Sequence, residues 1–113
     1  MKSKKIISIV VPIYNEFNVL SLFFERLLSS INQLKKYDFE IIIVNDGSTD
    51  GSYEYLLNQK KKLPNFVIVD LSRNFGKEAA LTAGIDISNG DALIPIDCDL
   101  QDPPELIRDL ILQ

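Results

Sequence analysis

Apolar residues in this chain follow two rhythms. Four short runs are nearly continuous and rich in isoleucine and valine: IISIVV (Ile6–Val11), FEIIIV (Phe39–Val44), FVIVDL (Phe66–Leu71) and ALIPID (Ala92–Asp97). Runs of this kind suit strands covered on both faces, whereas a sheet with one wet face alternates. Pro12 closes the first run, NDGSTDG the second, SRNFG the third and DCDLQD the fourth.

Between the runs the spacing lengthens to three and four. Val19, Leu20, Phe23, Leu27, Leu28, Ile31 and Leu34 predict an amphipathic helix over Asn18–Leu34. A shorter helix is predicted over Ser52–Lys62, with Ser48, Thr49 and Asp50 as N-cap types and Pro64 as its stop. A third spans Lys77–Ser88, with Asn89-Gly90 as a turn or C-cap. Pro103 and Pro104 can open a fourth through ELIRDLILQ. This strict β-α alternation predicts an α/β fold: an open, mainly parallel sheet with right-handed crossovers and helices on both faces.

Composition narrows the field. At 113 residues the chain is one domain, without repeats or a linker, and its net charge of −4 argues against general affinity for nucleic acid or anionic lipid. The basic groups Lys2–Lys5 and Lys60–Lys62 read as solvated ends of elements. One cysteine, Cys98, and no histidine exclude a disulfide framework, a zinc finger and any Ser-His-Asp or Cys-His machinery within these residues. IIIV (Ile41–Val44) is far too short for a membrane span, and Ser8 and Pro12 break the N-terminal apolar stretch, so a soluble cytoplasmic domain is expected. The last predicted helix reaches Gln113 without a stop signal, as in a chain cut inside a longer protein.

Every polar cluster follows a strand. In a parallel sheet all strand ends share one edge, and ligands bind in the crevice outside the carboxyl ends. Asp97, Asp99 and Gln101 alternate, so in an extended segment they point to one side while Cys98 and Leu100 point inward. Two carboxylates and an amide oxygen are hard donors suited to Mg2+ or Mn2+. Adjacent carboxylates repel, and a cation would let both stay ionised. The competing reading makes these acids caps for the helix near Pro103, which suits Asp102 well.

The other clusters are individually weaker. In NDGSTDG, Gly47 permits a left-handed turn and the polar residues cap a helix; only Asp46, at the strand tip, is left for a base or ribose. Asn15 and Glu16 can be a plain helix start, and Tyr14 can stack on a base or pack in the core. Arg73 and Lys77 are the cations that sequence order brings near the crevice, where a phosphate would want one. Neither GxGxxG nor GxxxxGK[ST] occurs, which removes support from Rossmann dinucleotide and P-loop readings. Together the four loops suggest a nucleoside-diphosphate ligand with a divalent ion.

The ordered set VVPIYNE, VNDGSTDGS, LSRNFGKEAALTAGI and DCDLQDPPE resembles the family 2 glycosyltransferases of GT-A (Rossmann-like) fold. The similarity is strongest to the branch of dolichol-phosphate mannose synthases and bacterial polyprenyl-phosphate (bactoprenol) glucosyltransferases. It covers Ile6 to about Leu112. The resemblance implies that Pro12, Tyr14 and Glu16 border nucleobase and ribose, and that Asp46 contacts the base. It places Arg73, Asn74 and Lys77 in a loop closing near the nucleotide, and assigns Asp97, Asp99 and Gln101 to the metal, with Asp97 also reaching ribose.

It further implies a UDP-sugar donor, UDP-glucose or similar, in preference to a GDP-sugar. The acceptor would be a polyprenyl phosphate, attacking with inversion at the cytoplasmic face of a membrane. The family's catalytic aspartate and acceptor half would lie beyond Gln113. Residues 1–113 are therefore expected to form the truncated, donor-binding part, unable to turn over alone, with self-association open through a face the truncation uncovers. Competing readings are a family 2 enzyme acting on a polysaccharide or protein glycan, a sugar-nucleotide nucleotidyltransferase, and a non-catalytic binding domain.

Overall fold

The computed structural model describes residues 4–63, 65–98 and 107. In chain order they form β1 (Lys5–Ile13), α1 (Phe17–Asn32), β2 (Tyr37–Asn45), α2 (Ser52–Lys62), β3 (Phe66–Asp70), α3 (Lys77–Ile87) and β4 (Ala92–Pro95). The sheet order is β3-β2-β1-β4 and every pairing is parallel. The chain steps outward from β1 to β2 to β3, then returns to place β4 on the other side of β1. Right-handed crossovers accordingly put α1 and α2 on one face and α3 on the other.

Burial follows that division by residue parity. Ile7, Ile9, Val11, Ile13, Ile41, Ile43 and Phe66 join Leu20, Phe23, Phe24 and Leu27 of α1 and Leu56 of α2 in one core. Val10, Ile42 and Val44 pack with Ala80 of α3 in a second. Residues from Ile7 to Ile13 are buried without interruption, which is why the run carries no alternation. Phe24, outside the predicted stripe of α1, stacks on Tyr55 at 6.0 Å and packs against Phe66 at 5.7 Å, binding α1, α2 and β3 together.

Several boundaries move, each for a local reason. β1 runs through Pro12 instead of ending before it. The carbonyl of Val10 accepts from the Ile96 amide on the β4 side, and that of Ile13 accepts from the Asp46 amide on the β2 side. Pro12 shares the parity of Val10 and so faces the β4 side, beyond Pro95, where β4 has ended. Its missing N–H removes no ladder bond there. α1 ends at Asn32, two residues short of the expected Leu34, which still packs against the core.

Gly51, and none of the expected Ser48, Thr49 or Asp50, is the N-cap of α2. At the end of α3 the cap is Ser88 in an extended conformation, so Asn89-Gly90 is not a left-handed C-cap. Gly90 serves close approach: its amide donates to the buried Ser8 hydroxyl at 2.9 Å, and a Cβ would meet that oxygen at 2.5 Å. The predicted fourth helix lies outside the described residues except for Ile107, which is helical and fully buried against the α1–α2 core.

Candidate functional site

The strand order changes direction between β1 and β4, and the crevice outside the carboxyl ends of strands at such a reversal is the expected ligand site. A cleft of about 420 Å³ opens there. Pro12, Tyr14, Glu16, Asp46, Asn74, Lys77 and Asp97 line it, together with Ile13, Gly76 and Cys98. Seven of the eight residues expected from sequence for the donor thus meet at one opening. Arg73 is not among the lining residues; its guanidinium lies 4.6 Å over the ring of Phe75. Tyr14 is half exposed at the rim and is no core aromatic.

The first two loops are tied to each other. Asn15 adopts φ 52°, and its side-chain oxygen accepts from the amides of Thr49 (2.7 Å) and Asp50 (3.3 Å). Its own amide donates to Ser48 Oγ at 2.9 Å. Asp50 then reaches both helices: Oδ2 accepts from the Phe17 amide that begins α1, and Oδ1 from the Ser52 amide that begins α2. Burial alone would raise the Asp50 carboxyl, but hydrogen bonds from Ser52 and the Phe17 amide outweigh it and hold it below the usual 3.8. Asn15 and the STD segment are therefore a brace for the rim.

The third loop rests on the tip of β2. Asp46 is buried, and its Oδ1 and Oδ2 accept from the amides of Phe75 (2.8 Å) and Gly76 (3.0 Å). Asn74 Nδ2 donates to the Asp46 carbonyl at 3.3 Å. Gly47, at φ 73°, lies so close that a Cβ would come within 2.3 Å of the Arg73 carbonyl carbon. The left-handed turn was legible in sequence; this backbone-to-backbone approach was not. On the opposite wall Lys77 Nζ lies 2.6 Å from Asp97 Oδ2.

For the metal, only Asp97 of the expected ligands can be placed; Asp99 and Gln101, like the alternative cap Asp102, lie outside the described residues. Among the described residues no cluster of three His, Cys, Asp or Glu side chains could hold an ion. Asp97 itself fits a hard divalent ion: it is a carboxylate on the cleft wall, and its ion pair with Lys77 uses one of its two oxygens. Cys98 is buried, as alternation predicted, and contributes an apolar part of the wall. Gly76 was missed by sequence reasoning, although its position immediately before a helix of the right spacing was the available signal. No helix among the described residues is long and apolar enough to cross a membrane.

These features define a class first: an open, parallel α/β sheet of GT-A type with an acid-bearing cleft at its switch point. A glucosyl-3-phosphoglycerate synthase from Mycobacterium tuberculosis, solved with Mn2+, UDP and glucosyl-3-phosphoglycerate, superposes with TM-score 0.66 at 26% identity, over 93% of this chain and 37% of that one. A mannosyltransferase from Pyrobaculum calidifontis in complex with GDP-Man and Mn2+ superposes with TM-score 0.74 at 21% identity, over 86% of this chain and 28% of that one.

Residues 8–113 match Glycosyl transferase family 2, and the chain belongs to that family. It is 45% identical to a prophage bactoprenol glucosyl transferase homolog of Escherichia coli, over 93% of this chain and 34% of the relative. It is 44% identical to an undecaprenyl-phosphate 4-deoxy-4-formamido-L-arabinose transferase of Photorhabdus laumondii, over 95% of this chain and 33% of the relative. The chain thus spans about a third of the length of these relatives.

Proposed function

We propose that residues 1–113 form the donor-binding part of a glycosyltransferase that moves a sugar from a UDP-sugar, UDP-glucose or similar, to a polyprenyl phosphate. The observation that carries the proposal is the meeting of Tyr14, Glu16, Asp46, Asn74, Lys77 and Asp97 at one cleft on the switch-point edge of the sheet. Two relatives whose names share a prenyl carrier and differ in the sugar support the acceptor class. The preference for UDP rests on the glucosyl relative and on the UDP-bound neighbour. A lipid acceptor would put the whole protein at the cytoplasmic face of a membrane.

In this reading Tyr14 offers a half-exposed ring for the base and Glu16 an acceptor for ribose hydroxyls. Asn74 and Lys77 face the diphosphate, where the lysine charge offsets the phosphates. Asp97, with Asp99 and Gln101, would hold Mg2+ or Mn2+. The bound ion would screen the diphosphate and stabilise charge gathering on the departing phosphate. The acceptor phosphate oxygen attacks the anomeric carbon from the side opposite the leaving group. The carbon–oxygen bond to the diphosphate breaks, its electron pair leaves with UDP, and the anomeric centre inverts. No residue of this chain is assigned as the catalytic group, so residues 1–113 alone should bind donor without transferring sugar.

Titration calorimetry of the chain with UDP, GDP and UDP-glucose, each with and without Mn2+, tests the reading. Metal-dependent binding that is strongest for the uridine ligands is expected. Equal UDP affinity with and without metal removes the ion from the account, and no binding of any nucleotide removes the donor site itself.

A further inference from the structure

We infer that Asp46 is a positioning residue that holds the third loop, and with it the start of α3, against the cleft; this rests on the donor-site reading above. A carboxylate buried to 3% exposure is costly unless its oxygens are satisfied. Here each oxygen takes one amide hydrogen, from Phe75 and from Gly76. Those two residues immediately precede α3, whose N-cap, Gly76, has no side chain to cap with. The tip of β2 therefore supplies the capping acceptor that Gly76 cannot, and adds its charge to that of Glu78 in the first turn, where the helix dipole favours negative groups.

The contact is wider than two bonds. Asn74 donates to the Asp46 carbonyl, and Gly47 lets the backbone of Arg73 and Asn74 lie directly on the turn that follows β2. Lys77, the next residue after the held pair, then reaches Asp97 on β4 at 2.6 Å. Asp46 thus connects β2 to the two side chains, Asn74 and Lys77, that the third loop presents to the cleft. A residue whose main task was to read the base would govern uridine over guanosine. A residue acting through the loop should affect everything that the loop holds, including a bare diphosphate.

Backbone amide exchange on the ligand-free chain tests the latch by itself. Asp46→Ala should speed exchange at both Phe75 and Gly76 at least about tenfold and leave Val44 in β2 unchanged. Asp46→Asn retains a single acceptor oxygen and should speed only one of the two. In calorimetry with Mn2+, Asp46→Asn should weaken UDP, GDP and inorganic pyrophosphate by the same factor. Unaltered exchange at both amides would overturn the inference, as would an affinity loss confined to UDP. Should the unsubstituted chain bind none of these ligands, the donor reading fails, and the exchange data still decide the latch.

Discussion

The two faces of the sheet are built from different materials. On one, α1 and α2 press Phe23, Phe24, Leu27 and Leu56 onto the strands in a large aromatic and aliphatic core. On the other, α3 meets Val10, Ile42 and Val44 through Ala80 and Gly84. A Cβ on Gly84 would stand 2.5 Å from Val10 Cγ1, so this helix lies almost directly on the sheet. The first face supplies most of the buried apolar area and hence most of the stability. The second supplies position, because α3 begins at the cleft with Lys77 and is anchored there by Asp46. Damage to the first should cost folding; damage to the second should cost binding.

The sharpest way to break this division is Phe24→Ala. Loss of a buried aromatic shared by α1, α2 and β3 should cost about 3–5 kcal/mol in denaturant unfolding. The fraction still folded should bind UDP with unchanged affinity. A loss below about 1 kcal/mol would mean that this face is not the main store of stability.

Gly84→Ala attacks the other face. The added methyl must lift α3 or displace Val10, at about 1–3 kcal/mol, and the shifted helix start should weaken nucleotide binding several-fold. Unchanged calorimetry beside lowered stability would assign α3 a packing role only. Gly47→Ala acts nearer the loop. An L-residue at φ 73° is strained by about 1 kcal/mol, and its Cβ would collide with the Arg73 backbone, so the third loop must move. Nucleotide affinity should fall more in this variant than in Phe24→Ala, although its stability loss is smaller.

The smallest effect concerns the brace between the first two loops. Asp50 titrates below the usual 3.8 in the folded chain. Its contribution is therefore complete above that value and disappears as pH falls through the folded value. Because the group is exposed, the stability difference between the unsubstituted chain and Asp50→Asn should be under about 1 kcal/mol at pH 7. That difference should shrink as urea unfolding is repeated at successively lower pH below 3.8, and a difference that does not change with pH would show that the carboxylate charge is irrelevant.

Much of this was legible along the chain. The unbroken runs of β1 and β2 announced strands covered on both faces, and the spacing of α1 announced its buried stripe, because periodicity reports burial directly. The shared edge of four polar loops followed from β-α alternation alone. Residues whose roles depend on long-range contacts were not legible in this way. Asn15 looked like a helix start and is a brace on Thr49 and Asp50. Arg73 was legible as a cation near the crevice; its seat over the ring of Phe75 was not.

By itself the amino-acid order determined the fold class, the parallel sheet and the residue types gathered at its carboxyl edge, since local spacing and strand direction suffice for those. Only the tertiary structure decided which of those residues share the cleft, that Pro12 could lie inside a strand, and that the Asp46 carboxylate accepts from the amides of Phe75 and Gly76. Those outcomes depend on hydrogen-bond geometry between segments far apart in sequence, to which no local pattern is sensitive.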